Sequence, residues 1–321
     1  MAEDIQLWLG DCLELMDKIP NNSVDLILAD LPYGTTDCFW DSVIPLDLLW
    51  KKYERIIKDN GNIILFSSQP FTSVLVSSNL PLYKYDYVWE KTNHSNPFIA
   101  KNQPLRIYEN ISVFYKDFTN SKIKEIYFVK LKQYFQRILK ECGLTRNKII
   151  DFYGEGASRC FRTDKNWTVP SKTTYINLIS SLQIINYLEY EEILFLYEEE
   201  RNKIRNTFNV ETNKVSKKSR TTSSTIFGRN NFTDKPYEQT ESGYLKNILK
   251  FDLDEERFHP TQKPLLLLKK LINIYSNEGD LVLDNVFGSG NTLLAAKQTS
   301  RKGIGIEKEK KYYDIAVERL R

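Results

Sequence analysis

Asp30-Leu31-Pro32-Tyr33 is the first place in this sequence where residue types and spacing together offer chemistry. The run Val24 to Ala29 before it is almost continuously apolar, as in a strand buried on both faces, and Pro32-Tyr33-Gly34 ends that run as a turn. A carboxylate at the carboxyl end of such a strand opens into the crevice where open α/β sheets bind ligands. Asp30 can accept one hydrogen of a substrate amine, and the backbone carbonyl of Leu31 the other. Two acceptors on one NH2 group localise its lone pair and aim it at an electrophile. Beyond Pro32, Tyr33 offers a flat face on which a base stacks. Taken alone, the same four residues are equally a turn with a capping aspartate.

A second constellation is Asp284-Asn285-Val286-Phe287-Gly288-Ser289-Gly290-Asn291-Thr292, between a predicted strand and a predicted helix. Glycines there permit a tight turn and close backbone approach to a ligand, while the following helix presents unpaired amides. Glu307, near the end of the next strand, lies 23 positions after Asp284, close to the spacing of about 20 at which a carboxylate grips ribose hydroxyls. The loop is one residue off the G-x-G-x-x-G dinucleotide pattern, and glycines alone suit many α/β turns. Third, His259-Pro260-Thr261-Gln262-Lys263-Pro264 precedes a predicted helix, where Thr261 and Lys263 can face an anionic group. Fourth, Gly10-Asp11 closes the first predicted strand, and Asp11 can accept from the amino group of a cofactor's adenine.

The elements that must position these residues alternate between strand and helix at both ends of the chain. Gln6–Leu9, Val24–Ala29 and Ile63–Phe66 read as strands, with helices over 13–19, 46–58 and from Pro70 to Ser77. Asn60-Gly61 is expected to cap the second helix. Tyr85–Glu90 and Ile111–Tyr115 read as an antiparallel pair joined by a polar loop that holds Asn93, His94, Asn96 and Lys101. Alternation returns with a helix over 264–275, a strand at 280–283, a helix at 291–299, a strand at 303–306 and a last helix over 312–320. From about Asp117 to Arg257 the pattern is polar, aromatic and helical, with helices near 130–142, 145–153 and 176–208; Asn213–Lys235 reads as a flexible loop. One doubly wound α/β sheet assembled from the two termini, 1–117 with 257–321, is therefore expected to carry an inserted, mainly helical unit over 118–256.

Bulk properties narrow the partners. The 321 residues are 41% hydrophobic with a formal charge of +3, enough for one substantial domain and a smaller one. Residues 121–250 hold 23 Lys and Arg against 15 Asp and Glu, so a basic middle sits in a mildly acidic frame. That distribution suits a module facing a polyanion, and equally a solvated lysine-rich insertion. No stretch approaches the roughly 18 to 20 apolar residues of a membrane span, and the first residues lack a signal-peptide layout. Cys12, Cys38, Cys142 and Cys160 are scattered without a C-x-x-C pair, which points away from a zinc site or disulfide framework and toward a reduced cytoplasm.

Taken in order, these constellations resemble the β class of DNA amino-methyltransferases, in which a D-P-P-Y-type catalytic motif comes first, a target-recognition region second and the cofactor motifs last. Asp30–Tyr33 is similar to the catalytic motif, His259–Pro264 to the motif that opens the cofactor pocket, and Asp284–Thr292 to the glycine-rich cofactor loop. Trp89-Glu90-Lys91-Thr92-Asn93 and Glu109–Phe114 resemble the family's hairpin. The likeness covers roughly residues 5–117 and 257–321. Leu31 stands where the first proline usually is, and Asn285-Val286 replaces the usual Pro-Phe.

The resemblance implies a Rossmann-like methyltransferase sheet with circularly permuted motif order, S-adenosylmethionine as cofactor and double-stranded DNA as partner. It implies catalytic roles for Asp30, Leu31, Pro32 and Tyr33, and cofactor contacts by Asp11, Thr261, Lys263, Asp284, Phe287, Gly288, Ser289, Gly290, Thr292 and Glu307. More weakly, Leu144–Ile149, Trp167–Pro170 and Tyr175–Leu178 resemble recognition segments, with Arg146, Lys148, Arg159, Arg162 and Lys165 as candidate DNA contacts; Trp167 is expected in that subdomain's own core.

The resemblance implies that the base is flipped and methylated directly, without a covalent nucleophile; a carbon-5 cytosine enzyme would need a nucleophilic cysteine, typically after proline, and no Pro-Cys pair occurs. Because N4-cytosine members usually carry Ser at the position of Asp30, N6-adenine is the expected target. N4-cytosine, a planar amide of protein, RNA, and a relative that binds DNA without catalysis are the alternatives. Restriction–modification is the implied setting, with or without a companion nuclease, and relatives of this class often dimerise, which leaves a homodimer open. Neither histidine, His94 or His259, is assigned a general-base role.

Overall fold

The computed structural model describes residues 4–34, 42–95, 100–116, 128–164, 166–210, 213–220 and 237–321. The strands are β1 (Ile5–Leu9), β2 (Val24–Asp30), β3 (Ile57–Ser67), β4 (Tyr83–Ser95), β5 (Arg106–Phe114), β6 (Asn213–Arg220), β7 (Tyr237–Ser242), β8 (Ile248–Lys250), β9 (Leu281–Asp284) and β10 (Lys302–Glu307). The α-helices are α1 (Cys12–Leu15), α2 (Leu46–Ile56), α3 (Phe71–Ser78), α4 (Val129–Glu141), α5 (Arg146–Ser158), α6 (Lys172–Ser181), α7 (Tyr190–Ile204), α8 (Leu265–Tyr275), α9 (Asn291–Gln298) and α10 (Lys310–Leu320).

Eight strands form one sheet in the order β1-β10-β9-β2-β3-β5-β4-β8. The first five are parallel, β5 runs antiparallel to both β3 and β4, and β8 is parallel to β4. The two ends of the chain thus meet at β1–β10 and β2–β9. Strand β2 shows why its sequence reads as an unbroken apolar run. Ile27 and Ala29 pack with Leu49, Trp50, Tyr53 and Leu75 from α2 and α3 on one face. Leu26 and Leu28 pack with Leu267, Leu271, Ala295 and Ala296 from α8 and α9 on the other. Both faces of a two-residue repeat are covered, so no polar alternation survives.

Several sequence expectations shift. Asn60-Gly61 does not cap α2; it lies inside β3, where the register against β2 slips between Val24 and Leu26. A Cβ on Gly61 would come 2.9 Å from the Asp25 carbonyl, so the glycine answers to a close strand approach. Strand β4 runs through Asn93 and His94, which were expected in a loop, while Asn96 lies outside the described residues. The expected loop over 213–235 is in part the hairpin β6–β7, whose polar strands lack the apolar alternation that announces a strand.

The insertion has a core of its own. Phe128, Leu131, Phe135, Ile138, Ile149, Phe161, Trp167, Tyr175 and Ile193 pack into one cluster drawn from α4–α7. Trp167 is buried there, donating its indole N–H to the Cys160 carbonyl at 2.9 Å. The boundary at 256 moves, however, because β8 completes the large sheet. Residues 206–209 are also strapped to the catalytic unit: Asn206 donates to the Gly61 carbonyl at 2.9 Å, and the Asn209 amide to the Ile274 carbonyl at 2.7 Å. Three residues of β8 are too few to show a period.

No helix among the described residues is long and apolar enough to cross a membrane.

Candidate active site

The carboxyl ends of β2, β9 and β10 open into a cavity of about 870 Å³. Asp11, Asp30, Leu31, Pro32, Tyr33, Thr261, Lys263, Asp284, Phe287, Gly288, Ser289, Thr292 and Glu307 all line it. Residues from four separate motifs, up to 296 positions apart in the chain, therefore share one crevice. Gly290 does not line it. With φ +85° and a would-be Cβ 2.9 Å from the Cβ of Ala316, Gly290 lets α9 approach α10 and serves packing instead of a ligand.

On the side of the glycine loop, Glu307 organises the backbone. One carboxylate oxygen accepts the Gly288 N–H at 2.8 Å and the other the Glu309 N–H at 2.8 Å. Asp284 is buried at the end of β9 and accepts the Val286 N–H at 3.1 Å. Burial pushes its carboxyl up to about 7, with the charges of Asp30 and Glu307 adding to the effect and hydrogen bonds from Thr292 and Val286 opposing it. Asn285, which stands where relatives of the resembling class carry proline, accepts the Tyr53 hydroxyl at 2.5 Å. Asp11 accepts the Leu13 N–H at 2.8 Å and so caps α1 from the cavity wall.

The loop before α8 is laced to the glycine loop. Ser289 donates to Gln262 at 2.9 Å, and Asn291 donates to the Lys263 carbonyl at 2.9 Å and to Asp254 at 2.8 Å. Asp254 also receives Gln262 at 3.1 Å and the Leu265 N–H at 3.1 Å, which starts α8 with a satisfied amide. Thr261 Oγ1 and His259 Nδ1 lie 3.1 Å apart. Burial, with Lys263 and Lys311 nearby, lowers His259 to about 4, so its ring is neutral at pH 7 and offers no proton to the reaction.

Lys263, expected at the cofactor, lines the cavity with its ammonium held by two carboxylates. Its ammonium lies 2.6 Å from Asp30 Oδ2 and 3.1 Å from Glu109 Oε2, and its side chain is 6% exposed. A buried ammonium is drawn to the nearest carboxylates, and here those belong to β2 and β5. Glu109 is paired in turn with Lys91. The Tyr33 hydroxyl donates to Asp30 Oδ1 at 2.5 Å, and its ring stacks on Phe71 at 5.4 Å. Burial raises Asp30 against the pull of Lys263, while Glu109, which burial would also raise, is held below its ordinary range by Lys263 and Lys91. Glu109 and Lys91 were not singled out from sequence as site residues. The hairpin likeness was the available signal, but only strand pairing sets Lys91 against Glu109, and only the fold brings Glu109 to Lys263.

The candidate DNA contacts lie away from the cavity, on the helical insertion. Arg146 pairs with Glu155 at 2.6 Å, and Arg162 forks onto Asp164. Both cations are thus partnered within the subdomain, whereas Lys148 and Arg159 are exposed. Lys165 lies outside the described residues.

A mostly parallel sheet with a glycine loop after β9, an acid ending β10 and a hydrogen-bond acceptor ending β2 defines an α/β enzyme of the Rossmann-like methyltransferase class. The family model for DNA methylases of the N6/N4 type matches residues 24–318, and the chain belongs to that family. The type II methyltransferase M.HinfI of Haemophilus influenzae is 27% identical over 326 residues, spanning 100% of this chain and 71% of that protein. The likeness to the type II methyltransferase M.HindIII of Haemophilus influenzae strain Rd is local, 49% identity over 76 residues, 23% of this chain and 25% of the relative. Two solved structures share the fold. A complex of M1.HpyAVI with SAM gives a TM-score of 0.52 at 20% identity, covering 98% of this chain and 100% of that one. The cytosine-N4-specific PvuII DNA methyltransferase gives 0.52 at 12% identity, covering 99% and 88%.

Proposed function

We propose that this DNA methylase transfers a methyl group from S-adenosylmethionine to the N6 amine of adenine in duplex DNA. The observation that carries the reading is the Asp30 carboxylate at the cavity wall, beside the Leu31 backbone and the Tyr33 ring. The donor set fits the cofactor: Asp11, Asp284 and Glu307 put carboxyl groups on the glycine-loop side of the lining, as hydroxyl, amine and cationic groups require, and a cavity of about 870 Å³ has room for the cofactor and a base. Bound there, S-adenosylmethionine supplies an electrophilic methyl group.

The chain's residues do the rest. Glu307 accepts from the ribose hydroxyls, Asp11 from the adenine amine, and Asp284, Phe287, Gly288, Ser289, Thr292 and Thr261 wall the pocket. Tyr33 stacks the flipped base as its hydroxyl gives up Asp30 Oδ1 to the base amine, and the Leu31 carbonyl takes the second hydrogen. Pro32 holds the turn between them. The work is positioning and charge stabilisation. A carboxylate, and not a serine, at position 30 favours adenine. The type II methyltransferases among the relatives favour a sequence-specific modification role, with 128–204 as the recognition unit and Lys148 and Arg159 as phosphate contacts.

Methyl transfer from labelled S-adenosylmethionine to mixed-sequence duplex DNA, followed by nucleoside analysis, tests the reading. Labelled N6-methyladenine is expected. N4-methylcytosine would overturn the base assignment, and an unlabelled DNA product the reaction. Reversing the charge of Lys148 and Arg159 together is expected to weaken DNA binding about tenfold or more and to flatten its salt dependence; unchanged affinity would remove them from the interface.

Cofactor binding has an expected pH dependence. With Asp284 near 7 before binding, a cationic ligand favours the ionised form, so binding releases a proton. Affinity should rise with pH up to about 7, approaching tenfold per unit on the acid side. Calorimetric titration from about pH 5.5 to 7.5 measures it; a flat Kd would mean that Asp284 does not face the cofactor's positive charge.

A further inference from the structure

Four charged side chains alternate in sign behind the proposed acceptor. Lys91 from β4 pairs with Glu109 from β5, Glu109 with Lys263 from the loop before α8, and Lys263 with Asp30 at the end of β2. Their side-chain exposures are 14%, 13%, 6% and 23% in that order. The aromatic faces of Phe66 and Tyr33 lie 5.3 and 5.9 Å from the Lys263 ammonium, and Lys91 sits 4.9 Å over Trp89. Two ammoniums and two carboxylates taken out of water are costly unless each is paired with opposite charge; here the two inner groups, Glu109 and Lys263, each have it on both sides. A turn needing only a capping aspartate has no use for three more buried charges.

We propose that Lys263, held in turn by Glu109 and Lys91, is the positioning residue that keeps Asp30 ionised and aimed at the base amine. The inference rests on the methyl-transfer reading above and gives Lys263 a task different from cofactor binding. The two oxygens of Asp30 then have separate jobs. Oδ2 is fixed by Lys263 at 2.6 Å, while Oδ1 carries the Tyr33 hydroxyl at 2.5 Å, a partner the base amine can replace. As the N–C bond forms and the S–C bond breaks, its electron pair returns to sulfur. The extra proton on nitrogen passes to Asp30 Oδ1 and on to solvent. Asp30 can take that proton only if it starts without one, and it lies near Glu109 and Asp284, two further acids that favour protonation. Lys263 is the cation that opposes them. Tyr33 donates to Asp30, Lys91 acts through Glu109, and His259, neutral at pH 7, faces Lys263.

The test is single-turnover methyl transfer over about pH 6 to 9 for the native enzyme, Lys263→Met and Glu109→Gln, with S-adenosylmethionine affinity measured alongside. Removing the cation should move the acid limb of the rate up by about one pH unit or more, with about a tenfold loss on that limb that recovers as pH rises. Removing the second acid should move the limb down. Opposite shifts, with cofactor Kd within about threefold of native in both variants, are not what a general loosening of structure produces. Limbs that stay in place or move together would overturn the proposal, as would a cofactor Kd that rises in step with the rate loss in Lys263→Met. Should circular dichroism show Lys263→Met unfolded, the downward shift in Glu109→Gln decides alone. No methyl transfer to DNA by the native enzyme at saturating cofactor would instead remove the methyl-transfer reading itself, a separable outcome.

Discussion

Methyl transfer by an Asp30→Ala variant is expected to fall by about three orders of magnitude, with S-adenosylmethionine affinity within about threefold of native. The size follows from what the proposed mechanism asks of one carboxylate at once: to accept an amine hydrogen in the transition state, take the departing proton and balance a buried cation. General-base groups of this kind contribute roughly 10² to 10⁴-fold. Alanine also leaves Lys263 and Lys91 sharing Glu109 alone, a net positive charge beside a nitrogen that becomes positive as it attacks. Asp30→Ser restores a neutral acceptor without the charge, and should recover part of the loss. Single-turnover kinetics at saturating DNA and cofactor separates the chemical step from binding. An alanine variant keeping a tenth or more of the native rate would sink the assignment of Asp30.

The second large effect belongs to Glu307. Its two oxygens hold the Gly288 and Glu309 amides at 2.8 Å each, and its position at the end of β10 suits the proposed role of ribose acceptor. Glu307→Ala therefore removes a ligand and frees the loop that shapes the pocket. Hydrogen bonds to a charged group contribute about 1.5–3 kcal/mol each, so a rise in cofactor Kd of about a hundredfold is expected. The Gln variant keeps one acceptor but turns an amide toward one of the two backbone N–H donors, and should fall in between. Because burial raises the Glu307 carboxyl above its ordinary range, alanine there should not unfold the protein, which thermal denaturation checks. Equilibrium titration with the cofactor gives the answer; a Kd within about threefold of native would show that Glu307 supports the loop without touching the ligand.

Much of this was legible in the amino-acid sequence. The strand Val24–Ala29, the turn at Asp30–Tyr33, the glycine loop and Glu307 are local patterns: an apolar run buried on both faces, a break in it, and an acid at nucleotide-binding spacing. Most depend on neighbours a few residues away, so order and spacing were enough to expect one doubly wound sheet from the two termini, and the resemblance added the permuted motif order. Trp167 in the insertion's core was legible for the same reason, as part of a dense aromatic stretch.

What the tertiary structure decided lies between distant segments. Gly290 serves the contact of α9 with α10, which no count of glycines distinguishes from a ligand contact. Three residues of β8 complete a sheet they do not resemble, because pairing with β4 needs a partner strand more than a pattern. Lys263 stands in a motif whose neighbours suggest the cofactor, yet a buried ammonium settles on the carboxylates nearest in space. Those are Asp30, 233 positions away, and Glu109, 154 positions away. Electrostatic pairing depends on distance through space, and only the fold sets that distance.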